Sequence, residues 1–279
     1  MSFYFTVGDY SYFGVGSAGF SDYTVPVLPT SFWKYDASTN TFYPLKNPTY
    51  GAGWGLGTFS IGNKGYSLID NKLWEYDPTT DNWMQKATFP KKDTIYLPAT
   101  FTIGSKAYIC GFSYGTSGIL DHIDDTLYEY DQTKDLWTQK SYYPGYTLNN
   151  RNAFSINNNG YILGGSEYGT NTNSFYKYNT DSNIWHGLSV YPSKSNGAVG
   201  IAYSCNNMGY VYFLNGELMQ YDPVNDKWSR INDFPGLNPD LIICFGIGQK
   251  AYLGFGFTGG VSYHRTKSNV TNELWEYNP

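Results

Sequence analysis

LWEYDPTTDNW, residues 73–83, alternates large apolar side chains with an acid and a tyrosine, breaks at Asp-Pro, and resumes at a tryptophan. The same stretch returns along the chain as FWKYDASTNTF from Phe32, LYEYDQTKDLW from Leu127, FYKYNTDSNIW from Phe175 and LMQYDPVNDKW from Leu218. A sixth copy, LWEYNP, starts at Leu274. The shared tyrosine is Tyr35, Tyr76, Tyr130, Tyr178, Tyr221 and Tyr277, and Phe42, Trp83, Trp137, Trp185 or Trp228 follows seven residues later. A feature present six times is architecture, not a single reactive centre.

A second unit recurs upstream of each copy. It reads GTFSIGNKGYSLID at 57–70, and its counterparts begin at Ser2, Ala99, Asn152, Ile201 and Leu241. Each is an apolar run, a turn rich in Gly, Asn, Asp and Lys, and a second apolar run, which is the signal of a β-hairpin. LWEYD-PTTD-NWMQK is a second hairpin, its turn built from residues that bond their own backbone or preset φ. Each repeat is therefore four antiparallel strands, numbered one to four below, and the motif tyrosines are 41, 54, 48, 43 and 56 residues apart. Strand runs are apolar on both faces, so the sheets stack face to face, and four-stranded sheets repeated in series make a β-propeller. The expectation is an all-β, six-bladed propeller in one domain over 1–279. Its blades span 1–47, 48–90, 91–144, 145–192, 193–235 and 236–279, and the last blade lacks its outer strand.

The bulk composition fits. Of 279 residues, 19% are aromatic, including 29 tyrosines, and only 15% are charged, below the ~25% of an ordinary globular chain. The net charge is −5 and the arginines are Arg151, Arg230 and Arg265, which argues against a nucleic-acid surface. No apolar run reaches membrane-span length and no signal peptide opens the chain. Cys110, Cys205 and Cys244 are odd in number and form no CxxC, so they read as buried core residues rather than a disulfide framework or a zinc site.

A glycine-rich second strand, LYEYD, a turn and a tryptophan resemble the kelch repeat, six times over nearly the whole chain, and the set is similar to kelch repeats of bacterial surface and secreted proteins. The double glycine that ends strand two in good kelch copies occurs only at Gly164-Gly165. The resemblance implies a propeller and leaves activity open. It also implies ring closure by strands from opposite ends. The chain begins at strand one and stops after strand three, so it is expected to be a monomeric domain cut from a longer, extracytoplasmic protein.

In a kelch-like propeller the loops joining strands two and three share one face with the connections from strand four to the next strand one. The distance from the strand-two tyrosine to the motif tyrosine is 23, 10, 22, 17, 11 and 25 residues in blades one to six. Variable loops on a rigid scaffold are where binding residues sit. The candidate face therefore comprises Trp54, Tyr96, Tyr114, His122, Tyr143, Tyr146, Arg151, Tyr168, Tyr263, His264 and Arg265. Aromatic and arginine anchors suit a glycan or a protein ligand, and the first reading is a non-catalytic binding module with no cofactor and no metal. The alternative is a carbohydrate-active enzyme, because sialic acid mutarotases resemble this chain in being six-bladed kelch propellers. Ring opening needs an acid/base pair, for which Arg151 and His264 with Asp124 or Asp125 are available. A galactose oxidase-like copper site would need Tyr263, His264 and His122 to converge and a loop cysteine for its crosslink, and no loop cysteine exists. DHIDD (121–125) lacks the alternate spacing of an EF-hand. The third reading is a structural spacer.

Overall fold

The computed structural model describes residues 2–17, 28–48, 57–69, 71–91, 94–96, 98–115, 122–145, 151–167, 170–192, 199–213, 216–231, 240–257 and 270–278. The chain forms two compact units, residues 1–143 and 144–279. Among the described residues each holds three blade sheets laid out as antiparallel meanders, together with one smaller sheet. Blade one is Ser2–Val7, Tyr10–Ser17, Leu28–Asp36 and Thr41–Leu45. Blade two is Gly57–Ile61, Lys64–Ile69, Lys72–Asp77 and Asn82–Gln85. Blade three is Ala99–Ile103, Lys106–Cys110, Thr126–Asp131 and Leu136–Tyr142. Blade four is Arg151–Ile156, Asn159–Gly164, Phe175–Asn179 and Ile184–Gly187. Blade five is Val199–Cys205, Met208–Phe213, Leu218–Asp222 and Lys227–Arg230. Blade six has three strands, Asp240–Ile247, Lys250–Phe257 and Val270–Tyr277. The fold is the six-bladed, all-β propeller that the repeats predict. No helix among the described residues is long and apolar enough to cross a membrane.

The hairpin of strands one and two turns on a residue with left-handed φ, Gly8, Gly62, Gly104, Asn157, Asn206 or Gly248, the residue types that tolerate it. That turn fixes the register, and the register stacks one aromatic pair per blade. The pairs are Phe5–Tyr12, Phe59–Tyr66, Phe101–Tyr108, Phe154–Tyr161, Tyr203–Tyr210 and Phe245–Tyr252, with ring centroids 4.9–5.4 Å apart and planes within 19°. Such pairs contribute about 0.5–1.5 kcal/mol each beyond burial. The strand-one ring also reaches the next blade: a Cβ on Gly65 would lie 2.0 Å from the Phe5 ring, and one on Gly209 would lie 2.5 Å from the Phe154 ring. Only a residue without a side chain lets these sheets approach so closely.

Within each unit, strand one lies beside strand one of the next blade. Thr58 Oγ1 donates to the Tyr4 carbonyl (2.8 Å) and Thr100 Oγ1 to the Thr58 carbonyl (3.0 Å). Strand one is thus the inner strand.

The opening motif is strands three and four of blade two, and its turn is built the same way in five blades. The Asp that follows the motif tyrosine, Asn179 in blade four, closes an Asx turn: Asp77 Oδ1 accepts from the Thr79 amide (2.9 Å) and hydroxyl (2.7 Å). Five residues after each tyrosine stands a left-handed Asn or Asp that accepts its hydroxyl proton, Asn40, Asp81, Asp135, Asn183 or Asp226, at 2.8–3.0 Å. The tyrosine ring packs against the strand-four aromatic with centroids 4.7–5.0 Å apart and planes tilted by 39–45°.

Where that turn residue is aspartate, it also clasps the preceding blade. Asp81 accepts from the Lys46 amide (3.3 Å), Asp135 from Ala87 (2.9 Å) and Asp226 from Ser189 (3.1 Å). Trp137 Nε1 and Trp228 Nε1 donate to the carbonyls of Ala87 and Ser189, each at 3.0 Å. Blades one and four, the first of each unit, instead carry Asn40 and Asn183 there, with Phe32, Lys34 and Phe175, Lys177 in the preceding strand. Blades two and three have Leu, Glu and Asp at these three positions, and blade five has Leu, Gln and Asp.

That central glutamate is structural. Tyr66, Tyr108 and Tyr252, on strand two, donate their hydroxyls to Glu75 (2.5 Å), Glu129 (2.9 Å) and Glu276 (2.8 Å).

Candidate functional site

The face formed by the strand-two-to-three loops is best defined at blade three. Its loop folds back as Phe112–Gly115 and His122–Asp124, which pair antiparallel, and the first of these also pairs with Thr94–Tyr96 from the connection out of blade two. The register sets Tyr114 opposite His122 and Ser113 opposite Tyr96. Three candidate residues from separate parts of the sequence therefore occupy one small sheet.

An ion pair between a buried carboxylate and a partly exposed lysine anchors this sheet. Asp124 is 8% exposed. One of its oxygens lies 2.8 Å from Lys91 Nζ, and the other accepts from the Thr126 amide at 2.8 Å. Burial pushes the Asp124 carboxyl up, but the Lys91 ammonium and the Thr126 hydrogen bonds outweigh burial and hold it below the usual carboxylate range. Bonding to Asp124 raises Lys91 in turn, and burial raises the neighbouring Tyr128 hydroxyl. A carboxylate so held stays ionised near neutrality. Of the two acids available for ring opening, Asp124 is therefore a strut. Asp125 contributes its carbonyl, which accepts from the Tyr143 amide at 2.8 Å.

Tyr143 is buried at 3% exposure, in the connection from blade three to blade four. Arg151 is 8% exposed and opens the inner strand of blade four at its loop-facing end, in register with Gly164. Beside it the Gly164 carbonyl accepts the hydroxyls of Thr172 (3.1 Å) and Ser174 (3.0 Å), and Tyr191 donates to the Thr172 carbonyl at 2.7 Å. This polar lacing fixes the backbone at the end of strand two that lies in register with Arg151. Trp54, Tyr146, Tyr168, Tyr263, His264 and Arg265 lie outside the described residues.

Sequence reasoning did not single out Lys91 or Glu217. Glu217 is 8% exposed and immediately precedes strand three of blade five, with Arg230 Nη1 4.0 Å away. Its signal was available: the residue at this position is Ser31, Lys72, Thr126 and Ser174 in blades one to four, and acidic only as Glu217 and Glu273. No group of three or more His, Cys, Asp or Glu among the described residues could hold a metal ion. The three cysteines are buried.

No family model matches the chain. A curated protein of Escherichia coli O6:H1, N-acetylneuraminate epimerase 1, is 26% identical over 190 residues, 67% of this chain and 47% of the relative. The chain thus aligns with about half the length of that relative. A solved structure described as "Structure of YjhT" superposes with a TM-score of 0.73 at 16% identity, over 99% of this chain and 96% of that one. The likeness to YjhT is one of fold.

Proposed function

We propose that the chain is a carbohydrate-directed propeller that interconverts the anomers of a sialic acid on its loop face. The observation that carries this reading is the 26% identity to N-acetylneuraminate epimerase 1 across two-thirds of the chain. The chemistry is modest. The anomeric hydroxyl gives up a proton, the bond from the anomeric carbon to the ring oxygen breaks, and that oxygen takes a proton. The open keto acid then closes on its other face. A site must hold the carboxylate at the anomeric carbon, and a guanidinium is the side chain whose paired donors match a carboxylate. Arg151, buried at the loop-facing end of an inner strand, is the group we assign to it.

The test follows the α anomer of N-acetylneuraminate, freshly released by a sialidase, by proton NMR with and without the chain. Faster approach to the anomeric equilibrium, slowed by Arg151→Lys, supports the proposal. Identical decay curves overturn the enzyme reading. A second reading, a sialic acid-binding module without turnover, is favoured by the commitment of Asp124 to Lys91. It predicts saturation transfer to the sugar in the same sample with unchanged anomer exchange. An extracytoplasmic site of action suits either reading.

A further inference from the structure

We propose that Thr172, held by Tyr191, is a positioning residue that sets Arg151 to receive a carboxylate. This rests on the sialic acid reading of the site, and it concerns residues that do not themselves touch the sugar. Arg151 opens its strand at the loop-facing end, and its partner across the ladder is Gly164. Gly164 and Gly165 both have left-handed φ, +77° and +104°. Glycine reaches such angles without steric cost, but it has no side chain to pack and its backbone is the freest of all. Unpinned, this end of the ladder would leave Arg151 on a loose support.

Hydrogen bonds from Thr172 and Ser174 remove that freedom. The Thr172 amide donates to the Gly165 carbonyl (2.8 Å), and the Gly164 amide donates to the Ser174 carbonyl (3.0 Å). Thr172 Oγ1 lies 3.1 Å from the Gly164 carbonyl and 3.3 Å from that of Gly165, so one hydroxyl serves both glycines. The Ser174 hydroxyl reaches the Gly164 carbonyl as well, at 3.0 Å. Thr172 is fixed in turn from the connection to blade five. There Tyr191, 1% exposed, donates its hydroxyl to the Thr172 carbonyl at 2.7 Å. Its ring packs on Phe213 and Trp228 of blade five, with centroids 5.2 and 5.9 Å away. The path Tyr191–Thr172–Gly164–Arg151 thus ties the support of the guanidinium to a packed core.

The carboxylate at the anomeric carbon keeps its charge throughout ring opening. An arginine that holds it binds ground state and transition state alike. Displacing that arginine therefore weakens binding and leaves turnover of bound sugar nearly intact. This signature separates positioning of Arg151 from an acid–base role and from a general loosening of the fold.

Thr172→Val removes the hydroxyl and keeps the branched shape, and Thr172→Ser restores the hydroxyl. N-acetylneuraminate and its methyl ester, titrated against the full chain and each variant and followed by proton NMR, give the dissociation constants. The free acid should bind about tenfold more weakly to Thr172→Val and regain its affinity in Thr172→Ser. The methyl ester, which offers Arg151 no anion, should bind all three proteins equally. KM for anomer exchange should rise with the Kd of the acid while kcat changes by less than about twofold. Tyr191→Phe should weaken the acid in the same direction by a smaller factor. A Thr172→Val chain that binds the acid like wild type overturns the proposal. So does one that loses acid and ester equally, which is what a loosened fold would do. A wild-type chain that binds neither ligand overturns the sialic acid reading before any substitution is made, and the proposal falls with it.

Discussion

Asp135 and Ala87 lie 48 residues apart and are joined by a 2.9 Å hydrogen bond from the Ala87 amide to Asp135 Oδ1. The same oxygen accepts the Tyr130 hydroxyl at 2.8 Å, and Trp137 Nε1 returns a bond to the Ala87 carbonyl. The turn of blade three and the start of its strand four therefore fix both backbone groups of a residue in blade two. Asp135→Ala removes the acceptor and puts a β-carbon without local bonding at φ +49°. It should cost about 2–4 kcal/mol. Asp135→Asn keeps the backbone conformation and one acceptor and should cost about 1 kcal/mol. Urea denaturation of the three proteins checks the order.

Gly65→Ala should destabilise blades one and two together, by about 1–3 kcal/mol, because the new carbon would fall 2.0 Å from the Phe5 ring. Phe5→Leu alone also destabilises, but the double variant should lose less than the sum of the two, since the shorter side chain yields the space. A double-mutant cycle on unfolding free energies reads this coupling, and simple additivity would deny the contact.

Lys91→Met should leave the buried Asp124 carboxylate without its cation and cost about 1–2 kcal/mol at neutral pH. That is less than the ~3–5 kcal/mol of a fully buried pair, because the outer part of Lys91 is in solvent. The sign against pH follows from the shifts. The folded Asp124 carboxyl titrates below its ordinary value of about 3.9, so the pair stabilises above that pH and its contribution fades as pH falls through the lowered value. Lys91 titrates above its ordinary value of about 10.4, so the contribution also fades as pH rises through the raised one. Melting curves of wild type and variant should be furthest apart between these limits and converge outside them.

The fold was written in the sequence because its devices are local. A left-handed turn demands Gly or Asn at one position, an Asx turn demands Asp or Asn at another, and the tyrosine between them must find its acceptor five residues on. Local demands recur with each blade and become visible as spacing. The role of Glu75, Glu129 and Glu276 was less legible, since it depends on the strand-two tyrosine being one strand away in register. The loop face was legible only as composition. Lys91 and Asp124 are 33 residues apart, and nothing in either neighbourhood announces the other. The sheet that brings Tyr96, Tyr114 and His122 together is made of three- and four-residue strands, too short for an alternation to show. Tyr143 and Arg151 carry the right chemistry for a surface anchor, and only the structure reveals how deeply both are seated.

Phe32, Lys34 and Asn40 in blade one match Phe175, Lys177 and Asn183 in blade four, while the intervening blades carry leucine, glutamate or glutamine, and aspartate. The chain thus has a period of three blades as well as one, and the longer period coincides with its division at residue 143. With respect to these three positions, the unit that repeats is a triplet of blades, so blade one is best compared with blade four and blade two with blade five. Blade five, with Gln220 where blade two has Glu75, departs from that period at one of the three positions.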